Sequence, residues 1–283
     1  MKIWNKKQVK NSIGLLSTDN NLYAQVERNV LHYPKKDLSL LQPDKPIISL
    51  KNVSKFFASF ENGKPVKFYS LKNISTSINQ GEVMFLMGAN GSGKSTLINC
   101  LCNIYHPSSG FFEYNYEFKH NPCEKFGVAF QINKYIDVLS VWDYIVFTQR
   151  LYKINTDIAN VAFLLKLFGV DQYLDKKAVK LSGGLQQRLN LVLAILSGAK
   201  ILIFDEITNN LDQKSRTLII DFIKKYIRIN NITTIIVSHD SLEVQKLATR
   251  ILILNKGEVV YDDTYKKAIA KFKSIHRLID RWK

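Results

Sequence analysis

The stretch "FLMGANGSGKSTLINCL", residues 85–101, places glycines, one lysine and paired hydroxyls where an apolar run gives way to helical spacing. Gly88 to Ser95 satisfies the spacing G-x-x-x-x-G-K-S/T. Glycine in such a turn bares backbone N–H groups and costs conformational entropy, which makes sense if something approaches the backbone closely. A helix N-terminus adds unpaired donors and a dipole, so the visitor is an anion. The N–H groups of Gly91, Ser92, Gly93, Lys94 and Ser95 fit around a phosphate, with Gly88 opening the turn and Asn90 and Thr96 flanking it. Lys94 supplies a point charge to the terminal phosphates, and Ser95 a hydroxyl for Mg2+.

A second set follows at "ILIFDE", residues 201–206, where an apolar run ends in two carboxylates. A parallel strand delivers its last residues to the carboxyl edge of its sheet, where phosphate loops also open. Asp205 is placed to hold Mg2+ through water, and Glu206 to polarise an attacking water.

The elements that must position these groups can be read from pattern. "IISLKNVSKFF" and "KFYSLKNISTSI" alternate with period two around "ENGKP", a hairpin signal. "GEVMFLMG" is nearly all apolar, as a strand buried on both faces must be. "GKSTLINCLCNIYH" reads as a helix up to "HPSSG". Residues 135–180 contain no strand-like run; they read as two amphipathic helices and a third short one before "KLSGG". Helix "GLQQRLNLVLAIL", strand "KILIFDE", helix "SRTLIIDFIKKYI", strand "TTIIVSHD" and hairpin "RILILNKGEVVYDD" complete the order. Alternating strands and helices predict an α/β parallel sheet with an inserted helical subdomain at about 132–180. Residues 1–46 are polar and aperiodic and read as an extension ahead of a domain spanning 47–264.

Order and spacing then carry a resemblance. "KLSGGLQQRLNLVLAIL" is similar to the signature motif and helix of ABC-type ATPases, and "FDEITNNLD" to their Walker B motif and D-loop. "TTIIVSHD" resembles their switch-histidine strand and "FGVAFQ" their Q-loop. The resemblance covers Ile47 to Thr264. It implies a nucleotide-binding core with an antiparallel β subdomain and a helical subdomain. It implies ATP and Mg2+ as cofactors, His239 as γ-phosphate sensor and Gln131 near the metal. Leu181, Ser182, Gly183 and Gly184 would meet ATP held by a second nucleotide-binding chain, homo- or heteromeric, with Asp212 in the D-loop. An aromatic before the core stacks on adenine in this family; Phe57 matches best, with Phe56 and Phe60 as alternatives. Leu185 in place of the usual Gln, Ile207 in place of Pro, and the D-loop "NNLD" depart from the common pattern. Leu185, with "QINKYIDVLSVWDYI", is similar to the lipid-exporting A subfamily and its bacterial relatives, which implies export.

Composition bounds the reading. With 46% apolar and 23% charged residues the chain has a soluble globular balance, and no apolar run nears the ~20 residues of a membrane span. The N-terminus lacks a continuous apolar segment of secretory type. The three cysteines match no zinc spacing. The net charge of +16 suits an anionic partner, or follows from a composition in which lysines outnumber arginines 32 to 8, and by itself it selects neither. The last stretch, 265–283, reads as one basic amphipathic helix, with Tyr265, Ile269, Phe272, Ile275, Ile279 and Trp282 on one face. That face packs either on its own domain or on anionic lipid or a partner. The expectation is an ATP-hydrolysing transporter subunit, peripheral on the cytoplasmic membrane face, serving separate membrane-spanning subunits and binding no nucleic acid. Two alternatives are a soluble ABC-type ATPase acting on nucleic acid or ribosomes, and a non-hydrolysing regulatory subunit.

Overall fold

The structure is a computed structural model that describes residues 4–31, 38–61, 64–130, 135–154, 156–206, 208 and 211–282. The chain opens with helices α1 (Lys6–Thr18) and α2 (Asn20–Leu31). Strands β1 (Ile48–Glu61), β2 (Lys64–Ile78) and β3 (Val83–Met87) lead to α3 (Lys94–Leu101), β4 (Ser109–Tyr114) and β5 (Phe126–Ala129). Helices α4 (Val141–Leu151), α5 (Ile158–Leu167) and α6 (Gly183–Leu196) precede β6 (Ile201–Asp205), α7 (Gln213–Ile229) and β7 (Thr233–Val237). The chain closes through α8 (Ser241–Leu247), β8 (Arg250–Asn255), β9 (Glu258–Thr264), α9 (Tyr265–Phe272) and α10 (Ile275–Asp280). These form two compact units, Met1–Asp37 with Phe126–Ile232, and Leu38–Lys125 with Thr233–Lys283.

In the second unit, β3 pairs in parallel with β7 on one side and β8 on the other, and β9 closes antiparallel on β8. Every residue of β3 and β7 is buried, which explains why β3 reads as an unbroken apolar run. The antiparallel subdomain is a separate sheet of order β2-β1-β4, beginning with the long hairpin expected around "ENGKP". Parallel and antiparallel strands joined by helices give the α/β fold with an antiparallel β subdomain.

The first unit is mainly helical, with β5 and β6 paired in parallel. In α5 the side chains Val161 to Leu165 are consecutively buried, and a helix apolar all round needs cover on every side. Helices α1 and α2 supply part of that cover. Val9, Leu16, Val26 and Val30 are buried, each worth ~1.5–3 kcal/mol by area. Polar contacts fix the pairing: Trp4 donates its backbone N–H to Gln149 and its indole N–H to the Thr156 carbonyl. Lys166 donates to the Leu16 carbonyl and the Ser17 hydroxyl, closing the end of α1. Lys6 and Lys10 each take one oxygen of Asp175, whose carboxyl falls to about 2 because these ammonium groups donate to it.

The stretch read as an aperiodic extension thus holds two helices packed in the helical unit. Its few apolar positions are diluted by Lys and Asn, so the period is too faint to read. Three further expectations change. The third short helix before Lys180 is a pair of 3-10 turns, Asp171–Tyr173 and Ala178–Lys180. The helix of "GKSTLINCLCNIYH" stops at Leu101, and Asn103 turns left-handed beyond it. The basic C-terminal helix is two helices, broken where Lys273 adopts φ 66°.

Candidate functional site

Strand β3 ends at Met87 and the chain turns through Gly88, Gly91 and Gly93 at φ 140°, 77° and 107°. A Cβ on Gly88 would lie 2.1 Å from the Leu254 carbonyl oxygen, and one on Gly93 2.5 Å from that of Ser70. Both glycines are therefore required by close backbone approach as well as by φ. Gly257 backs the loop, donating its N–H to the Ser92 carbonyl at 3.0 Å. Gly93 is the N-cap of α3 and offers no side-chain cap, so the first N–H groups of the helix face the loop uncapped. Lys94 is buried and curls back, donating to the carbonyls of Gly88 at 2.7 Å and Ala89 at 2.9 Å. The Ser92 hydroxyl is buried and has no partner among the described residues. Ser95 is exposed, and Thr96 shares a hydroxyl contact of 2.7 Å with Ser70.

His239 follows β7 and is exposed, one residue before Asp240 caps α8. It lines one cavity of about 300 Å3 with Gly88, Ala89 and Asn90. Phe57 lies on β1, partly exposed, edge-on to Tyr105 at 5.6 Å, with the Lys55 ammonium 5.3 Å from its ring. Phe56 faces Tyr69 and Lys67 instead, and the side chain of Phe60 lies outside the described residues.

In the first unit, β6 is buried throughout and carries Asp205 at its end. Glu206 follows in a left-handed conformation, φ 60°, which swings the chain away from the strand direction. Gln187 of α6 donates to the carbonyls of Asp205 at 3.1 Å and Glu206 at 2.8 Å, pinning that turn. Ser182 is the N-cap of α6 without making a capping bond, and Ser182 and Gly183 are exposed while Leu181 is buried beneath them. Asp212 caps α7, accepting from the Ser215 N–H at 3.0 Å, with Arg188 at 3.7 Å. Hydrogen bonding from Ser215 and the Arg188 charge hold its carboxyl below the usual range. Gln131, Ile207, Asn209 and Asn210 lie outside the described residues.

The second unit therefore gathers Gly88, Asn90 and His239 around one cavity, with Lys94 folded onto the same loop. The first gathers Asp205, Glu206 and the start of α6 through Gln187. Sequence reading missed Gln187, Tyr105 and Lys55; Gln187 sits in a helix whose spacing from Ser182 was the available signal.

An orphaned buried hydroxyl, an uncapped helix start and glycines that leave no room for a Cβ fit a phosphate group. Among the described residues no cluster of three or more His, Cys, Asp or Glu forms a metal cage.

Residues 71–209 match the family described as ABC transporter. The chain is 29% identical over 242 residues to the spermidine/putrescine import ATP-binding protein PotA of Pasteurella multocida (strain Pm70). That match spans 81% of this chain and 63% of the relative, less than two thirds of its length. The taurine import ATP-binding protein TauB of Jannaschia sp. (strain CCS1) is 29% identical over 209 residues, 73% of this chain and 77% of the relative. Among solved structures, the dimeric post-hydrolysis state of the ATP-binding cassette MJ0796 bound to ADP and Pi superposes with a TM-score of 0.66. It shares 26% identity and covers 77% of this chain and 98% of that one. Both relatives are named for import, so the export implied by Leu185 gains no support.

Proposed function

We propose that the chain, whose residues 71–209 match the ABC transporter family, carries that family's ATP-binding cassette and binds and hydrolyses ATP to drive transport. The observation that carries this reading is the glycine loop closed around Lys94, with the Ser92 hydroxyl buried just before α3 and without a partner among the described residues. The loop N–H groups hold the phosphates, Lys94 exchanges its carbonyl partners for phosphate oxygens, and Phe57 takes the adenine. Mg2+ would neutralise charge on the phosphates, with Ser95, Asp205 and Gln131 as the residues to hold it. Glu206 accepts the proton of the attacking water, and His239 contacts the γ-phosphate. Asp205 and Glu206 are presented by a backbone that Gln187 fixes, so neither has to be ordered at the moment of reaction.

The signature residues Ser182, Gly183 and Gly184 serve the nucleotide of a second nucleotide-binding chain, and Asp212 reaches the same junction. No helix among the described residues is long and apolar enough to cross a membrane. Tyr144, Phe147 and Leu151 fall on one face of α4, where Phe147 and Leu151 are more than half exposed. The loop before it exposes Ile136 and Val138, and Ile136 donates its N–H to the Tyr144 hydroxyl. This exposed apolar face supports docking of membrane-spanning subunits there, with the chain peripheral on the cytoplasmic face of a membrane as part of the same proposal.

The test is complementation. Lys94→Ala and Ser182→Arg chains should each be inactive alone. Mixed, they regain activity if the chain pairs with itself, because one of the two sites is then intact. Full activity from isolated monomers would overturn the paired site. Absence of ATP–Mg2+ binding by the unaltered chain would overturn the whole reading.

A further inference from the structure

The cavity beside the phosphate loop has a wall that the nucleotide chemistry does not require. Met87, Gly88, Ala89, Asn90, His239 and Ile253 form one side, and Ile279 and Trp282 from the C-terminal segment form the other. We propose that Trp282, with Ile279, is a positioning residue for the phosphate loop and His239, so that ATP turnover depends on the last helix of the chain. The inference rests on the ATPase reading above.

Three observations support it. First, the segment is held in place. Ile275 and Leu278 are buried, and Ser274 caps α10 by accepting from the Arg277 N–H. A series of ring and cation contacts runs from Tyr261 in β9 to Phe272, then through Arg281 to Trp282. Arg281 stands 5.9 Å from the Phe272 ring and 5.6 Å from the Trp282 ring, so the indole is clamped from one side.

Second, α10 packs on α8, and α8 begins at the Asp240 cap immediately after His239. Asp240 accepts from the Glu243 N–H, and its own N–H donates to the Ser238 hydroxyl. The turn that carries His239 is therefore tied to the helix on which α10 rests. A shift of α10 has a direct route to the histidine.

Third, the cavity itself leaves room for movement. At about 300 Å3 it is lined largely by apolar side chains. The indole Nε1 of Trp282 is buried with no partner among the described residues. A buried donor without an acceptor is costly, so the closed state of the loop is expected to give the indole a partner. Loop carbonyls at Gly88 and Ala89 now accept from Lys94, and they are released when Lys94 turns to phosphate.

Three chains test this: unaltered, Trp282→Ala and Trp282→Phe. With Trp282→Ala, kcat for ATP should fall by about ten- to a hundredfold, the scale of a small misplacement of a reacting group. KM for ATP should change little, since the phosphate is held by residues 91–96. Trp282→Phe, which keeps a ring against the loop, should restore most of kcat. Addition of ATP–Mg2+ should also change the tryptophan emission of the unaltered chain, and most of that change should be missing in Trp282→Phe. That measurement needs only the conservative variant, so it stands even if Trp282→Ala fails to fold. Unaltered kcat and KM in Trp282→Ala, or equal emission changes in the unaltered chain and Trp282→Phe, would overturn the proposal. An unaltered chain that neither binds nor hydrolyses ATP would bring down the ATPase reading first; an active chain indifferent to Trp282 removes this inference alone.

Discussion

Two helices of this chain begin with glycines, and their surroundings differ. At the start of α3, Gly88 and Gly93 are walled by the carbonyls of Leu254 and Ser70, and Lys94 is folded onto the loop. At the start of α6, a Cβ on Gly183 would meet nothing within 4 Å among the described residues. The first pair of glycines is demanded by the chain's own backbone. Gly183 is not: its φ is ordinary and its surroundings are open. That open helix start leaves room for a group from outside the chain. One helix start is thus closed by its own fold and the other is open, as the proposed pairing with a second chain requires.

The sharpest way to separate the halves is to damage each and compare binding with turnover. Glu206→Gln should keep nucleotide affinity and lose ~10²–10⁴ in hydrolysis rate, the usual worth of a positioned base. The variant should collect as an ATP-bound dimer in size-exclusion chromatography. Hydrolysis at the unaltered rate would remove Glu206 as base. Lys94→Ala should act on the other quantity, removing a charge-assisted bond of ~1.5–3 kcal/mol and weakening ATP–Mg2+ by about tenfold or more. Titration calorimetry reads it directly; an unchanged affinity would sink the phosphate-loop assignment.

The glycines themselves give a smaller and more diagnostic contrast. Gly93→Ala forces a side chain into φ 107° and against the Ser70 carbonyl, strain of about 1–3 kcal/mol or more. The melting temperature should fall by several degrees, and phosphate binding with it. Gly183→Ala should leave the melting temperature level or raise it, because Ala is the better helix former by up to about 1 kcal/mol. Its ATPase rate should still drop, since the new methyl group intrudes on a partner's nucleotide. If Gly183→Ala is fully active, the open start of α6 is merely open.

How much of this was legible depended on how strongly local pattern and global position agree. Strands β3, β6 and β7 were readable because strands buried along their whole length are built mainly of apolar residues, and the glycine loop after β3 because its spacing is distinctive. The spacing from Gly88 to Ser95 is a local signal that needs no tertiary knowledge. Helices α1 and α2 were not readable: they bury only a narrow stripe, and what calls for them is the all-round apolar surface of α5, more than a hundred residues away. Trp282 read as part of an amphipathic face, but which surface that face meets is a tertiary fact. Gln187 was missed for a like reason, since its partners are backbone carbonyls, which carry no sequence signal.

Asp212 gives the last and smallest test, because it has two roles to separate. As the N-cap of α7 it accepts from Ser215 and faces Arg188; as the D-loop carboxylate it should meet the partner chain. Its carboxyl is held below the usual range by Ser215 hydrogen bonds and the Arg188 charge. A carboxyl depressed in the folded state contributes stability that is present above its unfolded value of about 3.9 and is lost as pH falls through the folded value. Asn caps a helix about as well as Asp, yet it carries no charge and does not titrate. Asp212→Asn should therefore keep the melting temperature at neutral pH and show a shallower loss of stability below about pH 4. If capping is the whole role, turnover stays with the melting temperature. The proposed pairing at the open start of α6 predicts otherwise: a partner would approach that edge, and a charge beside Arg188 would help to orient it. Turnover of Asp212→Asn should thus fall a few-fold at unchanged melting temperature, and the loss should appear only under conditions in which the chain dimerises. A variant equal to the unaltered chain in both quantities would confine Asp212 to its cap.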